Sequence, residues 1–126
     1  MVIVRISTRC HPTEDRDKVT RAVTILFPDC ALRGDELLEG ESSSLETFAE
    51  HLRRQRIRDS ARSVMRRGLR EGSTSFKINK QVASIGKVTF SEESHPLGDI
   101  EVTISDKDIL SVIDSIAPDT RKEAPS

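Results

Sequence analysis

Apolar and polar residues alternate at the start of the chain. In VIVRIS (2–7), Val2, Val4 and Ile6 share one side, the pattern of a strand with one buried face. The period then lengthens. In HPTEDRDKVTRAVTILFPD (11–29), Val19, Ala22, Val23 and Leu26 recur at helical spacing, and Pro28 ends the helix. Thr13 is the expected N-cap, with Glu14, Asp15 and Asp17 complementing the positive end of the helix dipole. Residues 30–42, CALRGDELLEGES, carry short apolar pairs around Gly34 and Gly40 and predict one or two short strands. Ser43 or Ser44 can cap a second helix, SLETFAEHLRRQR, whose apolar face is Leu45, Phe48, Ala49 and Leu52. A third helical segment runs from about Ser60 to Glu71 on Ala61, Val64, Met65 and Leu69, with Gly72 as its stop.

Beyond Gly72 the alternation returns. SFKIN (75–79), VASIGKVTF (82–90) and IEVTIS (100–105) predict a three-strand antiparallel meander, with Gly86 a turn or bulge. Ser105-Asp106-Lys107-Asp108 has the form of a capping box opening a last helix on Ile109, Leu110, Val112, Ile113 and Ile116. Pro118 ends that helix. The expected fold class is α+β: a single mainly antiparallel sheet with helices on one face, in the order β-α-β(β)-α-α-β-β-β-α. Residues 1–117 form the single domain, and 118–126 are expected to be a disordered tail.

The length of 126 residues suits one domain. No apolar run approaches the ~18 residues that span a bilayer, so no membrane partner is expected. MVIVRISTRC reads as a strand rather than a signal peptide, which makes a cytoplasmic location the expectation. Cys10 and Cys30 form no CxxC pair. Cys10-His11 finds no second cluster, and His51 and His95 are isolated, so neither a metal nor another cofactor is expected. Without Trp or Tyr, and with four Phe at core positions, the chain offers no stacking platform for single-stranded bases.

Charge changes the picture more. HLRRQRIRDSARSVMRRGLREG (51–72) holds eight arginines against two acids. Its net charge is +6, so the remainder of the chain carries −7 toward the total of −1. Asp35, Glu36, Glu39, Glu41, Glu46 and Glu50 lie just upstream. Arg53 and Arg54 suit the C-terminal end of the second helix, and Glu50 can pair with Arg54 at i, i+4. Arg58, Arg62, Arg66 and Arg70 recur every four residues. Each step advances ~6 Å and turns ~40°, giving one slanting stripe. Three such like-charge pairs cost an isolated helix on the order of 1 kcal/mol, so an anion is expected nearby. The apolar faces of the second and third helices differ by roughly 165°, which predicts a break near Asp59.

Four phrases, PTED (12–15), LRRQRIRDSARSVMRRG (52–68), FKINKQVASIGKVTF (76–90) and PLGDIEV (96–102), resemble a family of small uncharacterised archaeal proteins labelled RNA-binding. The resemblance covers about residues 2 to 105. It implies a fold similar to that of ribosomal protein L-five, and RNA contacts from Arg53, Arg54, Arg56, Arg58 and Arg62 with Lys77, Asn79, Lys80, Gln81 and Lys87. The stripe itself adds Arg66 and Arg70.

Three functions follow. The first is a non-catalytic module binding structured or duplex RNA, since guanidinium forks keep their charge and grip phosphates bidentately. The second is a protein-interaction or homodimerisation module, with the stripe against an acidic surface. The third is an enzyme, with His11, Glu14 and Asp15 as candidate base and acid and a phosphate-bearing substrate over the arginines. These same residues also read as a helix start, and no phosphate loop or nucleophile elbow accompanies them.

Overall fold

A computed structural model describes residues 2–91 and 99–118. The opening alternation forms β1 (Ile3–Arg9), which buries Val4, Ile6 and Thr8 and leaves Ile3, Arg5 and Arg9 outward. Strand β2 (Leu37–Ser42) lies against it, with Arg5 opposite Glu41. The chain then returns after two helices to β3 (Leu69–Arg70), β4 (Ser73–Asn79) and β5 (Asp99–Ser105). Among the described residues, five strands make one sheet in the order β2-β1-β5-β4-β3, every neighbouring pair antiparallel. The architecture is therefore the expected α+β class.

One sheet face supplies the core. Thr74, Phe76 and Ile78 of β4 and Ile100, Val102 and Ile104 of β5 are buried beside the inward residues of β1. Helices α1 (Arg16–Leu26), α2 (Glu46–Arg54), α3 (Arg58–Arg67) and α5 (Ile109–Ile116) cover that face with Val23, Leu26, Phe48, Leu52, Ala61, Met65 and Ile113. All four phenylalanines line up in succession, Phe27 on Phe48, Phe48 on Phe76 and Phe76 on Phe90, with ring centroids 5.3, 5.7 and 5.7 Å apart. The opposite face is polar: Lys77 stands opposite Glu101, and Ser75 bonds Thr103.

Several boundaries differ from the sequence reading. Asp15, not Thr13, caps α1, its carboxylate accepting the Asp17 N–H. Asp108, not Ser105, caps α5 by accepting from the Ser111 N–H. VASIGKVTF is not a strand. Asn79 caps a single helical turn, α4 (Lys80–Ala83), by accepting the Val82 N–H, and Ile85 is 71% exposed. Only the end of that segment pairs with the sheet, Phe90 bridging to Ile78. The two outer strands of the expected meander, β4 and β5, pair directly.

The third helix stops at Arg67 rather than Glu71. Gly68 ends it against β4, and a Cβ there would fall 2.1 Å from the Ser75 carbonyl oxygen. Gly72, with φ of 68°, instead turns the chain from β3 into β4. The expected tail falls outside the described residues, apart from Pro118.

Candidate functional site

The corner between α2 and α3 organises the arginine-rich surface. Helix α2 ends in two backbone bonds, from the Arg56 N–H to the Arg53 carbonyl and from the Ile57 N–H to the Leu52 carbonyl. This is a Schellman closure, and the residue it places in the left-handed region is normally glycine. Here that residue is Arg56, with φ of 59°. A side chain in this region costs about 1 kcal/mol. The break thus falls at 55–57, slightly before the expected position at Asp59. It lets α2 bury Phe48 and Leu52 while α3 buries Ala61 and Met65 in the same core.

Gln55 pins this corner to the rest of the fold. Its amide donates to the Val88 carbonyl at 3.1 Å and accepts the Val88 N–H at 2.8 Å. Arg56 and Lys87 are therefore each one residue away from a fixed double hydrogen bond, and both are exposed. Neither side chain has a hydrogen-bond or ion-pair partner among the described residues.

The other arginines divide sharply. Arg53 and Arg54 both grip Glu50, at 2.6 and 3.0 Å, as i, i+3 and i, i+4 pairs. Hydrogen bonds from Arg53, against a smaller opposing effect of desolvation, and then the charges of both guanidiniums hold the Glu50 carboxyl below its ordinary value. Arg62 leaves the stripe. Its side chain, 17% exposed, crosses to α5 and donates to Asp114 at 2.5 Å and to the Ala117 carbonyl at 3.3 Å. Arg58 is half-buried at the start of α3, whereas Arg66 is exposed and has no partner among the described residues. Arg70 lies on β3, beyond the end of the helix, and donates to the Leu69 carbonyl. The expected four-arginine helical stripe is thus corrected: Arg58, Arg62 and Arg66 lie on α3, Arg70 does not, and Arg62 turns aside to tie α3 to α5. Arg67, which stands off that four-residue spacing, is exposed beside a groove lined by Ile57, Val64, Val88 and Phe90.

The residues expected from the 77–87 phrase also separate. Lys77 is half-buried on the open sheet face, away from the helices. The Asn79 carbonyl oxygen is used in capping α4. Gln81 is exposed on α4. Lys80 is 5% exposed, and its ammonium donates to the Arg9 carbonyl at 2.7 Å and to Glu14 Oε1 at 2.9 Å. Glu14 Oε1 also accepts the His11 N–H at 3.1 Å. Burial pushes the Glu14 carboxyl upward, but its bonds to Lys80 and His11 outweigh that and leave it below the ordinary 4.5. Glu14, a candidate acid in the sequence, is therefore the counter-ion of a buried lysine. His11 Nε2 is buried without a hydrogen-bond partner among the described residues. Among the described residues, no three His, Cys, Asp or Glu side chains gather to hold a metal, and no helix is long and apolar enough to cross a membrane.

Spacing alone does not reveal the Lys80–Glu14 or Gln55–Val88 links, because each joins segments far apart in the chain. They do join phrases of the family resemblance: PTED meets NKQVA, and LRRQRI meets GKV.

A family model described as RNA binding matches residues 3–106. A UPF0201 protein of Methanothermobacter thermautotrophicus is 42% identical over 92% of this chain and 91% of its own length. One from Sulfolobus acidocaldarius is 39% identical over 99% and 93%. A UPF0200/UPF0201 protein of Archaeoglobus fulgidus is 38% identical over 98% of this chain, which spans only 40% of that longer protein. The crystal structure of an uncharacterized UPF0201 protein superposes with a TM-score of 0.89 at 34% identity, covering 98% of this chain and 99% of the other. That of the UPF0201 protein from Methanococcus jannaschii gives 0.81 at 37% identity, covering 94% and 100%.

Proposed function

The chain belongs to the family of archaeal UPF0201 proteins and matches the family model described as RNA binding, and from this we infer a non-catalytic protein that binds structured RNA through its arginine-rich helical face. The family match over residues 3–106 is the observation that carries this reading. The surface supports it locally. Arg56, Lys87 and Arg66 present three cations without partners among the described residues, with Arg53 and Arg54 one turn back on α2 and Arg70 beyond the end of α3.

All four phenylalanines are packed on one another, Phe90 half-buried and the other three buried, so recognition rests on phosphates and on RNA shape rather than on base stacking. Lys80 and Arg62 stand outside the contact set because their donors serve the fold. The engagement of Glu14 by Lys80 favours the non-catalytic reading over an enzyme using His11 and Glu14. A cytoplasmic location goes with this reading.

The test is binding of a short RNA duplex at several salt concentrations. Wild type should bind at low salt, with a log–log salt slope of roughly 0.9 per phosphate neutralised. The triple variant Arg56→Glu, Arg66→Glu, Lys87→Glu should lose most of that affinity and flatten the slope. No binding at low salt, or undiminished binding by the triple variant, overturns the reading. If wild type is instead a dimer that dissociates on the same charge reversal, the surface is a subunit interface.

A further inference from the structure

Arg56 sits where the backbone asks for glycine. The Schellman closure of α2 is complete, with both of its backbone bonds made and Ile57 partly buried against the core. Nothing in that closure uses the Arg56 side chain. It is exposed, and it makes no hydrogen bond or ion pair among the described residues. Arg56 is also the one non-glycine residue with positive φ among them. Local stability therefore gives no reason for an arginine here, and glycine would hold the same corner without a Cβ penalty.

Position gives a reason. The Gln55 side-chain amide holds the Val88 backbone through two hydrogen bonds, with Arg56 next to Gln55 and Lys87 next to Val88. Arg56 has a left-handed backbone at this corner, and its side chain is exposed. Arg53 and Arg54 differ, since both bend back onto Glu50.

We propose that Arg56 is a preorganised phosphate contact at the α2–α3 corner, paired with Lys87, at which the protein gives up stability for RNA affinity. The proposal rests on the RNA-binding reading above and adds a trade-off that a generic basic surface does not have. Strain is held at positions where function needs a particular side chain. A side chain that leaves the fold from a fixed corner can meet a phosphate without rearrangement of the backbone.

The experiment compares wild type, Arg56→Gly, Arg56→Lys and, as a surface reference, Arg66→Ala, by thermal melting and by duplex-RNA titration over a salt series. Arg56→Gly should melt about 3–6 °C higher. It should also bind RNA roughly 5- to 10-fold more weakly, with the salt slope reduced by about 0.9. Arg56→Lys should melt like wild type and keep the salt slope. Arg66→Ala should weaken binding without raising the melting temperature. A glycine variant that melts no higher than wild type overturns the proposal, and so does one that binds RNA with unchanged affinity and slope. In both cases wild-type binding leaves the broader RNA reading standing. If wild type itself binds no duplex at low salt, both fall together.

Discussion

Two places in this molecule hold positive charge in opposite ways. At the junction of β4 and α4, Lys80 is buried, and both of its described acceptors, the Arg9 carbonyl and Glu14, come from the far end of the sequence. At the α2–α3 corner, Arg56 and Lys87 are exposed beside a rigid hydrogen-bonded joint and have no described partner. In the sequence both look like a basic residue near a turn. What separates them is whether the fold delivers an acceptor. A lysine whose acceptors arrive from β1 and the start of α1 belongs to stability. A cation for which the fold brings no acceptor is available to a ligand.

The contrast is broken most forcefully at Lys80. Lys80→Met should cost about 3 kcal/mol, because it strands Glu14 and the Arg9 carbonyl in a mostly buried site. Urea denaturation measures this. RNA binding by the fraction that remains folded should be unchanged, since the lysine never reaches the surface. Arg62→Ala should cost less, about 1–2 kcal/mol, because Asp114 on the other side of that bridge is largely exposed. It should loosen α3 from α5, visible as faster amide exchange at the end of α5.

The smallest effect concerns acid. The folded-state Glu14 carboxyl titrates below its ordinary 4.5, so its contribution to stability is complete above that value and disappears as pH falls through the folded-state pKa. Glu14→Gln should therefore be less stable than wild type at neutral pH. The gap between the two should close as pH falls below 4.5 and through the lower folded-state pKa. A constant gap across that range would show that Lys80 does not depend on the carboxylate charge.

Much of the sheet was legible before the structure. Strands β1, β4 and β5 announce themselves through strict alternation, and α1 and α2 through helical spacing, because a half-buried element leaves its period in the sequence. The pairing of Glu50 with Arg54 was equally visible, being local. The misreadings share one cause. Val82, Val88 and Phe90 resembled a strand, yet Asn79 starts a helical turn there and Gln55 ties down the chain that follows. Arg62 resembled a member of a stripe, but its acceptor lies 52 residues away on α5. Gly72 reads as the stop of a helix that includes Arg70, whereas the close approach of Gly68 to Ser75 ends α3 sooner. Tertiary acceptors and backbone proximity leave no periodic trace. The candidate surface was accordingly legible as a region, and its division into structural and available cations was not.

The file of phenylalanines has an optical consequence. With no tryptophan or tyrosine in the chain, every aromatic transition of the protein belongs to Phe27, Phe48, Phe76 and Phe90. These four rings run from the end of α1 through α2 and β4 to the segment pinned by Gln55. Their near-ultraviolet circular dichroism is thus a built-in gauge of whether helices, sheet and corner remain assembled. A single tryptophan placed on the corner would report a bound ligand against a background free of other indole or phenol emission.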